Sequence, residues 1–225
     1  MKQAYFITGT DTGVGKTLIS SALVYRFASQ GLKALGMKPV SAGCELDPLT
    51  GQLLSEDVAS LIAASNVDAP LNLINPYAFA PAIAPHIAAA QSGVMISLDE
   101  ITEAFQQLTN LADVVIVEGV GGFCVPLNTE LDTADLAQQL NLPVIMVVGM
   151  RLGCINHALL TMQAIKGRGL SLVGWVANQV DPHMTAYAEN LDALHQRIPA
   201  PCLGVLPWLE RADVKQAVTF LKLPD

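Results

Sequence analysis

Apolar segments alternate along this chain with segments in which apolar residues recur at helical spacing. The apolar segments predict β-strands at residues 4–8, 34–39, 114–118, 143–149, 172–178 and 202–206. Most of them are continuous apolar runs, which is typical of parallel strands that are covered on both faces. The helical segments predict α-helices at residues 16–30, 55–64, 98–111, 133–140, 155–167 and 185–197. This alternation favours a doubly wound α/β fold, with a mainly parallel sheet between two layers of helices.

Two long connections interrupt the alternation. Residues 41–55 are rich in glycine, proline and polar residues, and residues 69–91 are apolar but contain four prolines. We expect residues 69–91 to be irregular. Because long connections in a compact domain usually carry function or are disordered, we favour a functional role for both.

The composition fits a single domain that spans residues 1–225. Hydrophobic residues make up 52% and charged residues 14%, which favours a thick sheet or a sizeable subunit interface. The formal net charge is −8 and no basic patch is evident, so nucleic acid is an unsuitable partner. We find no signal peptide and no apolar run long enough to cross a bilayer, and we expect a cytoplasmic protein. The four cysteines lack metal-ligand spacing and are expected to be reduced thiols.

A glycine-rich segment joins the first predicted strand to the first predicted helix. It reads Gly9-Thr10-Asp11-Thr12-Gly13-Val14-Gly15-Lys16-Thr17. Glycines allow a tight turn that points backbone N–H groups and the positive end of the helix at one anion, as in phosphate-binding loops. Lys16 adds a cation for the outer phosphates, and the Thr17 hydroxyl suits a Mg²⁺ ligand. Five residues separate Gly9 from Gly15, one more than in the usual motif, but the strand–loop–helix context disfavours a turn with a chance lysine.

Further polar residues follow other predicted strands, at the edge where ligands bind in such sheets. Glu118 ends an apolar strand before a glycine-rich turn, a position that holds Mg²⁺ in nucleotide hydrolases; an exposed glutamate is the alternative. Lys38 lies at a strand end beside Pro39 and suits a phosphate or a carbamate, although exposed lysines are common there. Asp57, early in a helix, by itself indicates only a carboxylate that complements the helix dipole.

Two more strand ends indicate ligand contacts. A loop that enters a helix with free N–H groups suits a carboxylate, and its residues are Gly153, Cys154, Ile155 and Asn156. Asn178 ends the next strand, and its amide carries the donor and the acceptor needed to pair with a purine edge. We interpret His157 as an ordinary helix residue and leave His86 unassigned.

Together these motifs resemble the dethiobiotin synthetase family. Besides the phosphate loop, the resemblance rests on Lys38-Pro39-Val40, Asn75-Pro76-Tyr77, Pro85-His86, Glu118-Gly119-Val120-Gly121-Gly122, Gly153-Cys154-Ile155-Asn156-His157, Gly174-Trp175-Val176-Ala177-Asn178 and Leu206-Pro207-Trp208-Leu209. The motifs occur in order over nearly the whole chain. Each one alone is shared with wider P-loop families, whereas the set is specific. The resemblance implies a single domain with the P-loop NTPase fold.

The resemblance also implies an ATP-dependent ligase that closes the ureido ring of dethiobiotin. Its substrates would be 7,8-diaminopelargonate, CO₂ or bicarbonate, and ATP, with Mg²⁺ as the cofactor. One amine would form a carbamate, ATP would phosphorylate the carbamate, and the second amine would displace phosphate. The implied assembly is a homodimer with the substrate site across the interface.

The resemblance assigns each candidate residue a role. ATP binding would fall to Gly13, Val14, Gly15, Lys16, Thr17, Asp57, Glu118, Gly119, Val120, Gly121, Asn178, Gln179, Pro207, Trp208 and Leu209. Mg²⁺ would be held by Thr17, Asp57 and Glu118, and catalysis would depend on Lys16 and Lys38. Substrate binding would fall to Thr12, Ser41, Ala42, Gly153, Cys154, Ile155, Asn156 and Tyr187. Residues 153–156 would come from the second subunit and hold the substrate carboxylate.

The chain departs from the family pattern at a few positions. Serine or threonine is common four residues after the family lysine; here that residue is Ala42, so Ser41 takes over the substrate contact or the contact is lost. Gly13 and Gln179 also replace commoner residues. The alternative function is a nucleotide-driven switch ATPase of the partitioning or metal-insertion kind. Asp11 argues against it, because such switches carry a lysine there that reaches across the dimer.

Overall fold

The computed structural model describes residues 2–48 and 50–224. The strands are β1 (Gln3–Gly9), β2 (Ala34–Met37), β3 (Val40–Ala42), β4 (Glu45–Leu46), β5 (Leu53–Leu54), β6 (Tyr77–Phe79), β7 (Val114–Glu118), β8 (Val144–Met150), β9 (Leu172–Gln179) and β10 (Cys202–Leu206). The helices are α1 (Lys16–Ser29), α2 (Glu56–Ala64), α3 (Leu71–Ile74), α4 (Pro85–Gln91), α5 (Leu98–Leu111), α6 (Thr133–Leu140), α7 (Cys154–Gly167), α8 (Tyr187–Arg197) and α9 (Val214–Ala217). Every predicted strand and helix is present, with its ends shifted by no more than two residues.

The central sheet is parallel, and within the described residues its strand order is β10-β9-β8-β1-β7-β2. The chain begins in the middle of the sheet at β1 and moves to the edge at β2. It then returns to place β7 beside β1, and it adds β8, β9 and β10 on the other side. The doubly wound fold predicted from the apolar pattern is confirmed. In such sheets the ligand crevice lies at the carboxyl ends of the strands where the order reverses, which here are β1 and its neighbours.

Helices cover both faces of the central sheet, as the burial of alternate side chains of β1 shows. Phe6 packs in a core that includes α5 and α6, whereas Tyr5 and Ile7 pack in a second core against α1. Burial of a large apolar side chain contributes about 1.5–3 kcal/mol, so both layers stabilise the central strand. A third core, around Trp175, joins β9 to α7 and α8. No helix in the part of the chain described here is both long and apolar enough to span a lipid bilayer.

Both long connections contain short helices or strands. Residues 69–91 contain α3, β6 and α4, so the prediction of an irregular segment is wrong there. Pro70 caps α3 and Pro85 begins α4, where proline is tolerated because the first N–H groups of a helix have no partner within it. In residues 41–55, β4 and β5 form a short antiparallel hairpin, although residue 49 lies outside the described residues. β3 pairs in parallel with β6, which ties the two connections together.

Candidate active site

The phosphate loop connects β1 to α1 at the carboxyl edge of the sheet. Gly13 and Gly15 have φ angles of 72° and 88°, in the left-handed region that glycine adopts at little steric cost. Gly15 is the N-cap of α1 and makes no side-chain cap, so the first N–H groups of the helix point into the loop as donors for an anion. The loop predicted from the sequence therefore has the backbone of an anion receptor.

Thr17, Asp57 and Glu118 meet beneath this loop. The Thr17 hydroxyl oxygen lies 2.7 Å from Asp57 Oδ1 and 2.9 Å from Glu118 Oε1. Glu118 is fully buried at the end of β7, and its Oε2 atom has no hydrogen-bond partner among the described residues. A hydroxyl and two carboxylates are oxygen ligands of the kind that Mg²⁺ takes together with substrate phosphates. The three residues predicted as metal ligands are thus close enough to hold one ion, and the unpartnered oxygen fits that role.

Lys38 joins the same cluster from the end of β2. Its Nζ atom lies 2.5 Å from Glu118 Oε1 and 2.9 Å from Asp57 Oδ2, and it donates to the Gly119 carbonyl at 3.1 Å. The side chain is 3% exposed. Burial would lower the pKa of Lys38, but the charges of Glu118 and Asp57 outweigh it, so its pKa is raised above the ordinary value. Lys38 is therefore a buried, permanent cation, which excludes the alternative of an exposed surface lysine.

Lys16 is buried too, and its ammonium donates to the Asp11 carbonyl at 3.2 Å. Burial, followed by the positive charge of Lys38, lowers the pKa of Lys16 to about 8. The two lysines therefore repel each other, and an anion between them would relieve that repulsion. This electrostatic arrangement favours a polyanionic ligand at the loop.

A cavity of about 750 Å³ opens over these residues. Twelve residues that are predicted from the sequence as site residues line this cavity: Thr12, Gly13, Gly15, Lys16, Thr17, Lys38, Ser41, Ala42, Asp57, Glu118, Val120 and Gly121. The cavity is also lined by Ala82, Ile83, Ala84, Pro85 and Val125. Of these five, Pro85 is named from the sequence, in the motif Pro85-His86, but none is predicted as a site residue. Residues 82–85 lie in the long connection 69–91, for which the sequence favours a functional role. The cavity is large enough for a triphosphate with a small second substrate.

Ser41 and Ala42 face the cavity with different chemistry. The Ser41 hydroxyl donates to Asn75 Oδ1 at 2.8 Å and lies 3.1 Å from Cys44 Sγ. Ser41 is buried, and its hydroxyl hydrogen is already engaged inside the protein. Ala42 presents only a methyl group at the position where the family pattern has a hydroxyl. A substrate contact made by Ser41 would therefore be one in which its hydroxyl oxygen accepts, and both alternatives for this position stay predictions.

The residues predicted to bind the nucleotide base lie beside the loop. The Asn178 amide donates to the Val14 carbonyl at 2.9 Å, so one of its hydrogens holds the phosphate loop. Gln179 Oε1 accepts from the Trp208 backbone N–H at 3.3 Å, which joins the end of β9 to the segment Pro207, Trp208 and Leu209. Trp208 is 45% exposed, and aromatic side chains of this kind stack on flat rings such as a nucleotide base. The adenine contacts themselves stay predictions.

The predicted carboxylate receptor lies elsewhere. Residues 153–156 and Tyr187 are absent from the cavity lining within the described part of the chain. Gly153 is the N-cap of α7 with a φ of 94°, so the helix start has the backbone expected of an anion receptor. Tyr187 packs in the third core near Cys154. The loop before α7 is tied to the phosphate loop by an ion pair between Arg151 and Asp11, which sequence reasoning missed.

Known proteins resemble this chain over almost its whole length. Residues 3–216 match the family described as AAA domain. An ATP-dependent dethiobiotin synthetase of Aromatoleum aromaticum is 55% identical over 222 residues, which cover 99% of this chain and 98% of the relative. The protein of the same name from Nitrosospira multiformis is 50% identical over 223 residues, which cover 99% of this chain and 96% of the relative.

Solved structures share the fold at much lower sequence identity. A chain of the MinC:MinD cell division complex of Aquifex aeolicus has a TM-score of 0.56 and 15% identity, covering 96% of this chain and 92% of its own. A ParA family ATPase of Chlorobium tepidum has a TM-score of 0.55 and 16% identity, covering 97% and 90%. At these identities the structures show the fold alone. The full-length relatives decide the family: this chain belongs to the ATP-dependent dethiobiotin synthetases.

Proposed function

We propose that this chain closes the ureido ring of dethiobiotin from 7,8-diaminopelargonate, ATP and CO₂, with bicarbonate as the CO₂ source. The observation that carries the proposal is a single cavity that joins a phosphate loop to a second buried lysine, Lys38. A phosphate loop by itself accounts for ATP. An additional fixed cation on the cavity wall suits a second anion, the carbamate, and the charge that develops on it during transfer.

The reaction balances in three steps. The nitrogen of one substrate amine attacks CO₂, forming a C–N bond and releasing a proton, which leaves a carbamate. A carbamate oxygen attacks the γ-phosphorus of ATP, and the bond from that phosphorus to ADP breaks. The second amine then attacks the carbamoyl carbon, loses its proton and expels phosphate, which closes the ring.

The chain's own residues bind, orient and neutralise charge in these steps. The amides of residues 13–17 and the ammonium of Lys16 hold the ATP phosphates at the start of α1. Lys38 stabilises the carbamate oxygens, and Thr12, which lines the cavity, contributes to the carbamate site. A carbamate held in line with the γ-phosphorus reacts as part of one complex, which removes much of the entropic cost of bringing the two together.

We assign Mg²⁺ to Thr17, Asp57 and Glu118; when bound, the ion neutralises charge on the phosphoryl group that is transferred. The unpartnered Oε2 atom of Glu118 supports this assignment. Asn178, Gln179 and residues 207–209 are assigned to the adenine ring. Their contacts with the loop and with one another support that assignment.

We assign the substrate carboxylate to residues 153–156 and Tyr187 of a second subunit in a homodimer. In the described part of one chain these residues do not line the cavity, so a contribution from the partner would bring them to it. Leu152 and Leu160 support an interface there, because they are 89% and 56% exposed around α7 and form apolar surface that a partner would cover. We expect the dimer to act in the cytoplasm, without nucleic acid or membrane as a partner.

Omission of single components tests the proposed function. The purified protein should form dethiobiotin, ADP and phosphate in equal amounts only when ATP, Mg²⁺, bicarbonate and the diamine are all present. A switch ATPase would instead hydrolyse ATP at a rate that ignores the diamine and responds to a protein partner. A second buried lysine beside the phosphate loop favours the ligase, because a carbamate would give Lys38 a role in the reaction beyond its ion pairs with Asp57 and Glu118.

A further inference from the structure

Asn75 lies in the buried connection between α3 and β6 and makes hydrogen bonds with each end of its side-chain amide. Its Nδ2 atom donates to the Lys38 carbonyl at 2.6 Å and to the Tyr77 carbonyl at 3.1 Å. Its Oδ1 atom accepts from the Ser41 hydroxyl at 2.8 Å. Asn75 is 5% exposed, so these bonds form out of contact with bulk water. An asparagine with both amide hydrogens and its oxygen engaged has little freedom to rotate.

The segment that Asn75 holds is the turn that carries Lys38 away from the central sheet. β2 ends at Met37, because Pro39 has no N–H with which to continue the ladder. The turn is instead tied to the neighbouring connection: the Lys38 N–H donates to the Ile74 carbonyl at 2.8 Å, and the Tyr77 N–H donates to the Pro39 carbonyl at 3.1 Å. The Asn75 side chain links the start of this turn, at Lys38, to its end, at Ser41.

We propose that Asn75 is a positioning residue for catalysis, which acts by fixing the backbone turn that aims the Lys38 ammonium at the reacting phosphate and carbamate. The proposal rests on the proposed function, because it takes Lys38 as the catalytic cation. Asn75 is absent from the residues that line the cavity in the described part of the chain, so it acts through Lys38 and not by touching substrate.

The geometry at the tip of Lys38 shows why its backbone has to be fixed. Its ammonium lies within 2.9 Å of Asp57 and within 2.5 Å of Glu118, in a place with almost no exposure to water. A flexible lysine side chain keeps such a position only when its own backbone does not move. A shift of about 1 Å in a charge that stabilises a transition state is enough to slow a reaction by orders of magnitude.

Asn66 offers a control at the other end of β2, although it is exposed whereas Asn75 is buried. Its Oδ1 atom accepts from the Ala34 N–H at 2.8 Å, and its Nδ2 atom donates to the Leu32 carbonyl at 2.9 Å. Both asparagines therefore hold the backbone at an end of the same strand. Of the two, Asn75 holds the end that leads into the cavity, so Asn66→Ala tests whether the loss of an asparagine clamp on β2 lowers activity when Lys38 is not displaced.

The test is a double-mutant cycle that compares the wild type, Asn75→Ala, Lys38→Ala and the double variant. Asn66→Ala is measured beside the cycle as the control. Asn75→Ala should lower kcat about tenfold or more while the KM for ATP changes less than about threefold. Asn66→Ala should keep kcat within about twofold. In the double variant, loss of Asn75 should add nothing to the loss caused by Lys38→Ala, because both act through one group. Additive losses would overturn the proposal, since they would show a general structural effect.

A crystal structure of Asn75→Ala gives a readout that needs no activity. The Lys38 ammonium should have moved out of hydrogen-bond distance of Glu118; an unmoved ammonium would overturn the proposal. Asn75→Ser, which keeps one hydrogen-bond donor, is prepared in parallel. If the alanine variant does not fold, the kinetic and crystallographic measurements are made on the serine variant. Wild-type protein that forms no dethiobiotin would contradict the proposed function, whereas an active wild type with additive losses would contradict only the role of Asn75.

Discussion

Asn178 and Val14 are joined by a hydrogen bond of 2.9 Å from the side-chain amide to the backbone carbonyl. The bond links the end of β9 to the phosphate loop after β1, across 164 residues of chain. The fit is close, because a Cβ atom at Gly15 would lie 2.2 Å from the Asn178 amide nitrogen. A residue predicted to read adenine therefore also supports the loop that binds phosphate.

Asn178→Ala should weaken the binding of the phosphates as well as that of the base. Loss of one buried hydrogen bond costs about 1 kcal/mol, which corresponds to about fivefold in affinity. Calorimetric titration with ATP and with inorganic tripolyphosphate, which has no base, separates the two contributions. We expect both affinities to fall, with the larger loss for ATP. Unchanged binding of tripolyphosphate would show that Asn178 has no role in supporting the loop.

Lys38→Ala should lower kcat for dethiobiotin formation by two or more orders of magnitude, because it removes a buried cation beside the transferred group. Lys16→Ala should do the same and should also weaken ATP binding. Lys33 is an exposed lysine just before β2, and Lys33→Ala is the matched control with an expected rate near that of the wild type. Steady-state phosphate release measures all three. A near-normal rate for either buried-lysine variant would remove that residue from the mechanism.

Glu118→Gln should raise the Mg²⁺ concentration needed for half-maximal activity by about tenfold or more, because an amide replaces a charged ligand. Glutamine keeps nearly the same shape, so it can still accept the Thr17 hydroxyl hydrogen and packing is preserved. Titration of Mg²⁺ at saturating ATP measures the effect. An unchanged titration curve would show that Glu118 is not a ligand of the ion.

Arg168 joins the end of α7 to the start of α6. Its guanidinium pairs with Asp132 at 3.2 Å and also with Asp135, the two carboxylates of the capping box that begins α6. Because the three side chains are partly exposed, Arg168→Ala should lower the free energy of unfolding by only about 1 kcal/mol at pH 7. Urea unfolding of the wild type and the variant measures the difference.

The pH dependence of that difference follows from Asp135. Burial would raise its pKa, but the Asp132 N–H and the Arg168 guanidinium outweigh burial and lower it. A carboxylate with a depressed folded pKa stabilises the protein above its unfolded pKa and loses that contribution as the pH falls through the folded value. The difference should thus be full at pH 7 and shrink below about pH 4. Arg197, which donates to the Ala193 carbonyl at 3.1 Å, is the control, and Arg197→Ala should show no such decline.

The elements that could be predicted from the sequence are those with a strong local signal. Most strands of the central sheet are runs of apolar residues. A strand that is buried on both faces needs apolar side chains on both, so this pattern can be recognised without knowing the order of the strands. The phosphate loop follows from its glycines, because backbone geometry requires them at positions 13 and 15. Glu118 follows from its place at a strand end. Asp57 could be assigned only through the family resemblance, since its position in the helix has an ordinary explanation.

The features that could not be predicted depend on contacts between distant segments. β3 and β6 are three residues long, too short to show a periodicity, and they exist because they pair with each other. Asn75 belongs to a motif that supports the family resemblance, but its contacts could not be predicted, because its partners come from two segments of the chain. Residues 82–85, which line the cavity, have apolar side chains, and these residue types by themselves do not indicate a ligand. Contacts between distant segments, which leave no local pattern, decide these parts of the site.

The most direct test of the central claim follows oxygen from CO₂ into phosphate. In the proposed reaction a carbamate oxygen becomes the bridge to phosphorus and leaves with the phosphate when the ring closes. We predict that a rapid reaction of the diamine, ATP and ¹⁸O-labelled CO₂ in unlabelled water releases phosphate that carries one ¹⁸O atom, with a second label in the ureido oxygen. Unlabelled phosphate formed in step with ADP would mean that water attacks ATP, and it would contradict transfer to a carbamate.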